Sequence, residues 1–177
     1  MSTLRPGDRV CTADDGDCTV LWQGRINAPG VGGFRNVRFR APCHGLARDL
    51  VLRAAQPVAV GGTEVQYLFG DDEVLVEARH LVNGHGAVWD AGVTVGASHG
   101  IVLDRPSLIR AGTLWAESLY LGVLDRNPAL AQTTAAGALA EAGRMPLHTR
   151  RARRQLRPFE ALALARARDA VRLTFAA

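Results

Sequence analysis

Short runs of β-prone residues, punctuated by turn residues, fill most of the chain before residue 128. The first two runs, 8–12 and 19–22, are rich in β-forming residues. Between them, residues 13–17 contain an Asp-Gly pair, which tolerates positive φ angles and is typical of hairpin turns. We therefore expect a hairpin that enters a sheet within the first thirty residues.

Further β-prone runs follow, separated by glycine, proline and Asn-Gly breakers. They are residues 36–40, 49–52, 58–60, 64–69, 74–76, 87–90, 93–95, 101–103 and 108–111. Strands that recur every 8 to 12 residues or so are typical of sandwiches and barrels and argue against alternating βαβ units. The sequence predicts a mostly β protein of many short strands.

From residue 128 the chain becomes Ala-rich, and runs 130–142 and 159–173 carry apolar residues at helical spacing. Pro158 suits the first turn of the second helix. The predicted buried face of that helix comprises Phe159, Leu162, Ala163, Ala167, Ala170 and Val171. We expect a β domain over 1–127 and a helical extension over 128–177, with one or two helices packed on the β domain.

Composition sets the class of protein. A chain of 177 residues corresponds to about one domain, and 47% hydrophobic with 21% charged residues excludes a wholly disordered chain or a coiled coil. No apolar run is long enough to span a membrane, and the start lacks the hydrophobic segment of a signal peptide. We expect a soluble protein located in the cytoplasm.

Cysteine chemistry offers one candidate pair, Cys43-His44, which could supply a nucleophile and a base. In an extended segment, however, neighbouring side chains point to opposite faces, so the prediction is two unrelated loop residues. We expect Cys11 to be a small buried residue and Cys18 to lie at the surface. With no Cys-x-x-Cys spacing, neither a disulfide framework nor a cysteine zinc site is indicated.

A metal site would need three or four converging ligands. Only His80 and His85 are near each other, His44 and His99 are farther away, and no carboxylate cluster lies between them. The three aspartates of the first turn lack the later glutamate of a calcium loop. The sequence therefore predicts neither a metal nor a cofactor.

Charge is concentrated near the C-terminal end. All 21 basic residues are Arg, which is typical of a GC-rich genome; nine lie within 144–172 beside two acids, a net of +7 against −3 elsewhere. A nucleic-acid site there would use Arg150, Arg151, Arg153, Arg154 and Arg157. Because no aromatic residue is interleaved and no known nucleic-acid motif is present, a solvated face or a linker is favoured.

Several segments resemble the bacterial branch of the Hint domains, the fold shared by the autoprocessing part of hedgehog proteins and by inteins. Residues 68–84 (LFGDDEVLVEARHLVNG) are the most specific match, and residues 4–10 (LRPGDRV) with 20–25 (VLWQGR) match the stretch after the first block of the family. The other similar segments are 47–52, 103–105, 116–119 and 157–161. The resemblance implies a Hint-type β fold over about residues 4–126.

The resemblance also implies autocatalytic chemistry. In such domains an N-terminal Cys or Ser attacks the preceding carbonyl carbon, which converts the amide into an ester or thioester, and a His in a Ser/Thr-x-x-His block protonates the leaving nitrogen. The family places the nucleophile ahead of Leu4, in a block that the sequence given lacks. We therefore expect that Gln56→His alone does not restore cleavage in this chain.

The remaining family positions are altered. The block reads Arg-Ala-Ala-Gln, which places Gln56 where the family has His, and glutamine cannot transfer a proton near neutral pH. His99 matches another family His only with a one-residue shift, and Pro106 occupies the position of a further His. Asp104 and Arg105 are retained, either as remnants of the site or as a strand-end ion pair.

The sequence predicts no intact catalytic set and a degenerate, pseudo-enzyme Hint domain that serves as a β scaffold or interaction module. Two alternatives stay open: self-cleavage, if a Cys or Ser precedes the chain, and nucleic-acid binding through the basic segment. The expected partners are an upstream segment of the same polypeptide or another protein, with no membrane association and an oligomeric state that the sequence does not fix.

Overall fold

The computed structural model describes residues 4–91, 95–134 and 137–175. In those ranges the protein is mostly β, as predicted. The strands are β1 (Arg9–Cys11), β2 (Asp17–Pro29), β3 (Asn36–Phe39), β4 (Leu50–Arg53), β5 (Pro57–Gly61), β6 (Glu73–Glu77), β7 (Ala87–Trp89), β8 (Val95–Leu103), β9 (Leu108–Ala111) and β10 (Leu114–Glu117).

Four α-helices and four short 3₁₀ turns complete the described part of the chain. The helices are α1 (Thr63–Phe69), α2 (Pro128–Gln132), α3 (Gly137–Glu141) and α4 (Pro158–Phe175), and the 3₁₀ turns are Gly32–Phe34, Cys43–Gly45, Ala78–Leu81 and Gly122–Arg126. None of the described helices combines the length and the hydrophobicity that crossing a bilayer requires.

The chain forms two compact units, each assembled from separate segments. The first contains Met1–Gly30, Val93–Ala111 and Trp115–Ala152, and the second contains Val31–Gly92, Gly112–Leu114 and Arg153–Ala177. The boundary at residue 127 stays a prediction.

The first unit is built on the antiparallel sheet β1-β2-β8. Val10 lies opposite Cys18 across the first turn, which confirms the predicted hairpin. β2 then pairs with β8 along most of its length. Alternate residues of this sheet enclose a core of Cys18, Val20, Ile101, Leu103 and Ile109.

β8 corrects the prediction of separate strands on either side of Gly96. Residues 93 and 94 lie outside the described residues, but β8 runs unbroken from Val95 to Leu103. The reason is its long partner: Gly96 lies opposite Ala28, and Gly100 lies opposite Gly24. Continuous ladder hydrogen bonds outweigh the poor β propensity of glycine. β10, which the sequence pattern missed, is the neighbour of β9.

The second unit contains the sheet β4-β3-β7 and the antiparallel pair β5 and β6. Its strands confirm the runs predicted at 36–40, 49–52, 58–60, 74–76 and 87–90. α4 packs Ala161 and Leu164 against a core that also contains Val60, Val65, Val74, Val76 and Leu156. The predicted helix at the C-terminal end is therefore confirmed.

The predicted strand at 64–69 is wrong, because this segment is α1. Gly62 precedes it with φ of 125°, and Gly70 ends it in the left-handed conformation with φ of 72°. This glycine ends the helix at low steric cost. Val65 and Phe69 fit the period of a strand but are also spaced i, i+4, and both pack into the same core.

Two details of the helical region also differ from prediction. The run 130–142 is divided between α2 and α3, and residues 135 and 136 lie outside the described residues. In α4 the buried face carries Ala161 and Leu164, whereas Phe159 is 65% exposed and Leu162 is 50% exposed. The predicted buried face of α4 is therefore rotated about the helix axis from the observed one, because several faces of an Ala-rich helix are similarly apolar.

Candidate functional site

Gln56 lies in the turn between β4 and β5. Its backbone N–H donates to the carbonyl of Arg53 at 2.9 Å, and its carbonyl accepts from the N–H of Ala78 at 2.9 Å. The side-chain amide donates to the carbonyl of Pro57 at 3.2 Å. The turn is thus fixed by backbone bonds, and the half-buried amide of this residue, predicted from the resemblance to occupy the block His position, acts as a hydrogen-bond donor.

Arg53 precedes Gln56 by three residues, at the start of the block predicted from the resemblance. It is the last residue of β4 and lies opposite Asn36 in β3. Its Nη2 atom is buried and has no hydrogen-bond partner among the described residues. The side chain of Arg53 offers N–H donors and has no hydroxyl.

His99 lies in the middle of β8, opposite Arg25. Its ring is exposed, and its Nδ1 accepts a hydrogen bond from the side-chain amide of Gln23 at 3.2 Å. These two side chains lie on one face of the β2 and β8 pair, where diagonal neighbours are within reach. The observed contact of His99 is therefore a cross-strand hydrogen bond at the surface.

Asp104 and Arg105 follow β8 directly. The Asp104 carboxylate accepts the N–H of Arg105 at 3.1 Å and lies 3.8 Å from its guanidinium. Arg105 also pairs with Asp15 at 3.5 Å, in the turn of the first hairpin. Arg105 has 58% of its side chain exposed, so these contacts form a solvated ion-pair network at the strand end.

The predicted remnant positions His99 and Asp104, both in the first unit, do not lie close together. Five residues of extended chain separate His99 from Asp104, a distance of about 16 Å along the strand direction. Gln56 belongs to the second unit. Each of the four predicted remnant positions therefore has its own set of contacts.

The cysteine predictions need correction. Cys11 is exposed and Cys18 is buried, the reverse of what we expected, because the hairpin register directs Cys18 into the core of the first unit. Cys43-His44 is not extended: it lies in a 3₁₀ turn in which His44 has φ of 57°. A Cβ placed on Gly86 would meet Cys43 Sγ at 3.3 Å and His44 Nε2 at 3.2 Å, so both side chains approach the same glycine.

The basic segment is largely engaged in ion pairs. Arg153 lies 3.2 Å from Glu73, and Arg154 contacts Asp71 at 3.4 Å and Glu160 at 2.6 Å. Arg151 pairs with Glu117. Arg150 and Arg157 are exposed. Three of the five arginines named for a nucleic-acid site therefore already have carboxylate partners.

Glu117 is the most deeply buried acid described in the protein. Its side chain has no exposed surface, and it accepts hydrogen bonds from the Arg151 guanidinium and from the N–H of Ala152 at 3.0 Å. Burial raises the pKa of Glu117, and the two hydrogen-bond donors only partly oppose this effect. The pair ties the segment around residue 151 to the end of β10.

His148 extends this contact network. Its Nδ1 accepts the N–H of Leu121 at 3.2 Å, so Nε2 carries the hydrogen and donates to the carbonyl of Leu103 at 3.1 Å. Tyr120 stacks on this ring with centroids 6.1 Å apart, and the guanidinium of Arg151 lies 4.3 Å above the Tyr120 ring. The sequence did not predict this network. The one local feature that indicates it is an acidic residue within the mostly apolar run 114–119.

Within the described ranges, no group of three or more His, Cys, Asp or Glu side chains is arranged as a metal site would require. The sequence likewise contains no glycine-rich loop of the kind that binds the phosphates of nucleotides.

Comparison with known proteins identifies the family. No curated protein and no solved structure matches the chain significantly. The profile of the Hint domain matches residues 1–123, about two thirds of the chain. This range contains Gln56, His99, Asp104 and Arg105, the positions singled out by resemblance. The chain therefore belongs to the Hint domain family.

Proposed function

We propose that this protein is a catalytically degenerate Hint domain that serves as a β scaffold for a protein partner. The observation that carries the proposal is the amide of Gln56 at the position of the block His. The family reaction needs an acid there to protonate the leaving nitrogen. An amide that donates to the carbonyl of Pro57 can hold a geometry but cannot release a proton near neutral pH.

The neighbouring positions support the same conclusion. Arg53, at the predicted Ser/Thr position, has no hydroxyl. Pro106 has no titratable group, and the ring of His99 is engaged with Gln23. Arg53 and Pro106 therefore supply no replacement for the acid that Gln56 lacks.

A protein partner is favoured over a nucleic acid. Each phosphate contact needs an available cation, and Arg151, Arg153 and Arg154 are paired with carboxylates. Polyanion binding through this segment would depend mainly on Arg150 and Arg157. We expect that replacing these two residues by Ala removes the weak, salt-dependent binding to heparin that a basic protein shows.

The test of degeneracy restores the missing part of the reaction. A reporter protein is fused ahead of Leu4 through a Cys-led first block taken from a cleaving Hint domain, and the fusion is incubated with thiol. We expect no thiol-dependent cleavage while Gln56 is present, and slow cleavage after Gln56→His. Gln132→His, on the exposed end of α2, is the matched control and should remain uncleaved.

Cleavage of the parent fusion would overturn the proposal and would favour the self-cleaving alternative. Mass spectrometry of the two products would locate the broken bond, which must lie directly before the supplied Cys if the family reaction operates. Absence of cleavage in all fusions that fold, as judged by circular dichroism, would support degeneracy at more positions than Gln56.

A further inference from the structure

The second unit contains a cavity of about 180 Å³ between α4 and the 3₁₀ turn Ala78–Leu81. Its floor is apolar and buried, formed by Val76 and Leu164. Its polar lining includes His80 and Arg168. α4 lies outside residues 1–123, so the matched family region supplies only part of this lining.

The size of the cavity limits what it can hold. Pockets for drug-sized ligands or nucleotides start at about 300 Å³. A ligand of about seven non-hydrogen atoms is therefore the appropriate size, and its body must be apolar because the floor consists of aliphatic side chains.

The polar lining is dominated by hydrogen-bond donors. Arg168 uses Nη2 to donate to the carbonyl of Gly61 at 2.7 Å and forms no salt bridge with any described carboxylate. Glu64 attracts its charge only from a distance. The oxygen of Asn83 already accepts the N–H groups of His85 and Ala87, which leaves its NH₂ as a donor. Such a set suits an anionic oxygen ligand.

Electrostatics agree with this assignment. Burial lowers the pKa of Arg168, because its guanidinium is partly removed from water without a paired anion. Burial also lowers the pKa of His80, which therefore presents a neutral imidazole at neutral pH. Asp169 is the one acid among the described residues that line this cavity, and it is exposed. A bound carboxylate would compensate the Arg168 charge.

His44 adds a feature that is unusual for a structural residue. Its backbone adopts the left-handed conformation, φ 57° and ψ 21°, and its ring packs edge-on against Phe39. Gly86 allows the close approach of this ring, because a Cβ there would lie 3.2 Å from Nε2. The left-handed backbone of His44 thus holds its ring at the cavity.

We propose that this cavity binds a short branched aliphatic carboxylate, with its hydrocarbon chain on Val76 and Leu164 and its carboxylate on Arg168. The inference is independent of the proposed scaffold role, because none of these residues belongs to the altered catalytic positions.

The test is a titration of the full chain with 3-methylbutanoate, followed by amide NMR. We expect saturable shifts in α4 and in Ala78–Leu81 with a Kd of about 1 mM, the affinity that about seven atoms can provide. The neutral isostere 3-methylbutanamide should bind about tenfold more weakly, because it lacks the charge that Arg168 recognises. Equal affinity for acid and amide, or no saturable shift, overturns the proposal.

Variants locate the site. Arg168→Gln should weaken 3-methylbutanoate binding about tenfold, while Arg166→Gln, an exposed position on the same helix, should leave it unchanged. Ala165→Leu should abolish binding by filling the cavity. Unaltered affinity in Arg168→Gln would overturn the assignment. The comparison of acid and amide uses the unmodified protein, so it decides the question even if a variant fails to fold.

Discussion

Replacing Glu117 should reveal what its buried contacts contribute to stability. Glu117→Ala removes a fully buried carboxylate and leaves the Ala152 N–H and the Arg151 guanidinium without their acceptor. Breaking a buried pair costs about 3 to 5 kcal/mol. Because 30% of the Arg151 side chain reaches solvent, we expect the low end, a loss of about 3 kcal/mol in the free energy of unfolding.

Glu117→Gln separates charge from hydrogen bonding. The amide oxygen can still accept from Ala152, and burial already disfavours the charged carboxylate, so this variant should lose less than about 1.5 kcal/mol at pH 7. The raised pKa of Glu117 also fixes the direction of the pH dependence. Just above pH 4.5 the folded protein keeps a proton on Glu117 that the unfolded chain releases, so the stability of the parent protein relative to Glu117→Gln falls as pH rises. The deficit of Glu117→Gln should therefore shrink between about pH 4.5 and 7.

The assay is urea unfolding followed by tryptophan fluorescence at several pH values. Arg151→Ala and the double variant Glu117→Ala/Arg151→Ala complete a thermodynamic cycle, and we expect a coupling free energy above about 1 kcal/mol. Equal losses in Glu117→Ala and Glu117→Gln would refute the reasoning, since they would mean that the acceptor oxygen contributes nothing. A deficit that grows with pH would refute the assigned direction of the pKa.

Two further predictions use other parts of the fold. Burial and the neighbouring Arg79 lower the pKa of His80, so below about pH 6.5 the unfolded chain binds more protons than the folded protein and stability falls on acidification. His80→Gln should make the urea midpoint fall less steeply as the pH is lowered. An unchanged pH dependence of the midpoint would contradict this prediction. Gly24→Ala would place a Cβ inside the indole ring of Trp22 and should cost about 2 kcal/mol with a shifted fluorescence maximum, whereas Gly33→Ala, with open space around it, should be neutral.

The strands could be predicted from sequence where local pattern and turn chemistry agree. The hairpin of β1 and β2 has both alternation and an Asp-Gly turn, and β3 keeps Val37 and Phe39 buried on alternate positions. α1 could not be distinguished from a strand, because in seven residues Val65 and Phe69 satisfy both periods. Local pattern also fails where pairing is long-range.

The sequence yielded less of the site, for a related reason. Gln56 could be proposed as a site position because the block around it is contiguous and resembles a family motif. Glu117 and its partner Arg151 are 34 residues apart, and nothing in the local pattern of either residue indicates the other. Likewise, the buried position of Cys18 depends on the register of a hairpin and not on its neighbours in sequence.

The contacts of Glu117 show that the region of family similarity and the region needed for folding end at different residues, although the two are often equated. Glu117 lies inside residues 1–123, while Arg151, Ala152 and the buried His148 lie beyond them. A gene trimmed to the homologous region would encode a protein with an unneutralised acid in its interior and with Leu103 and Leu121 lacking their hydrogen-bond partner. Recombinant versions of this Hint domain should therefore retain the residues through α4, whatever part of the chain the activity of the family requires.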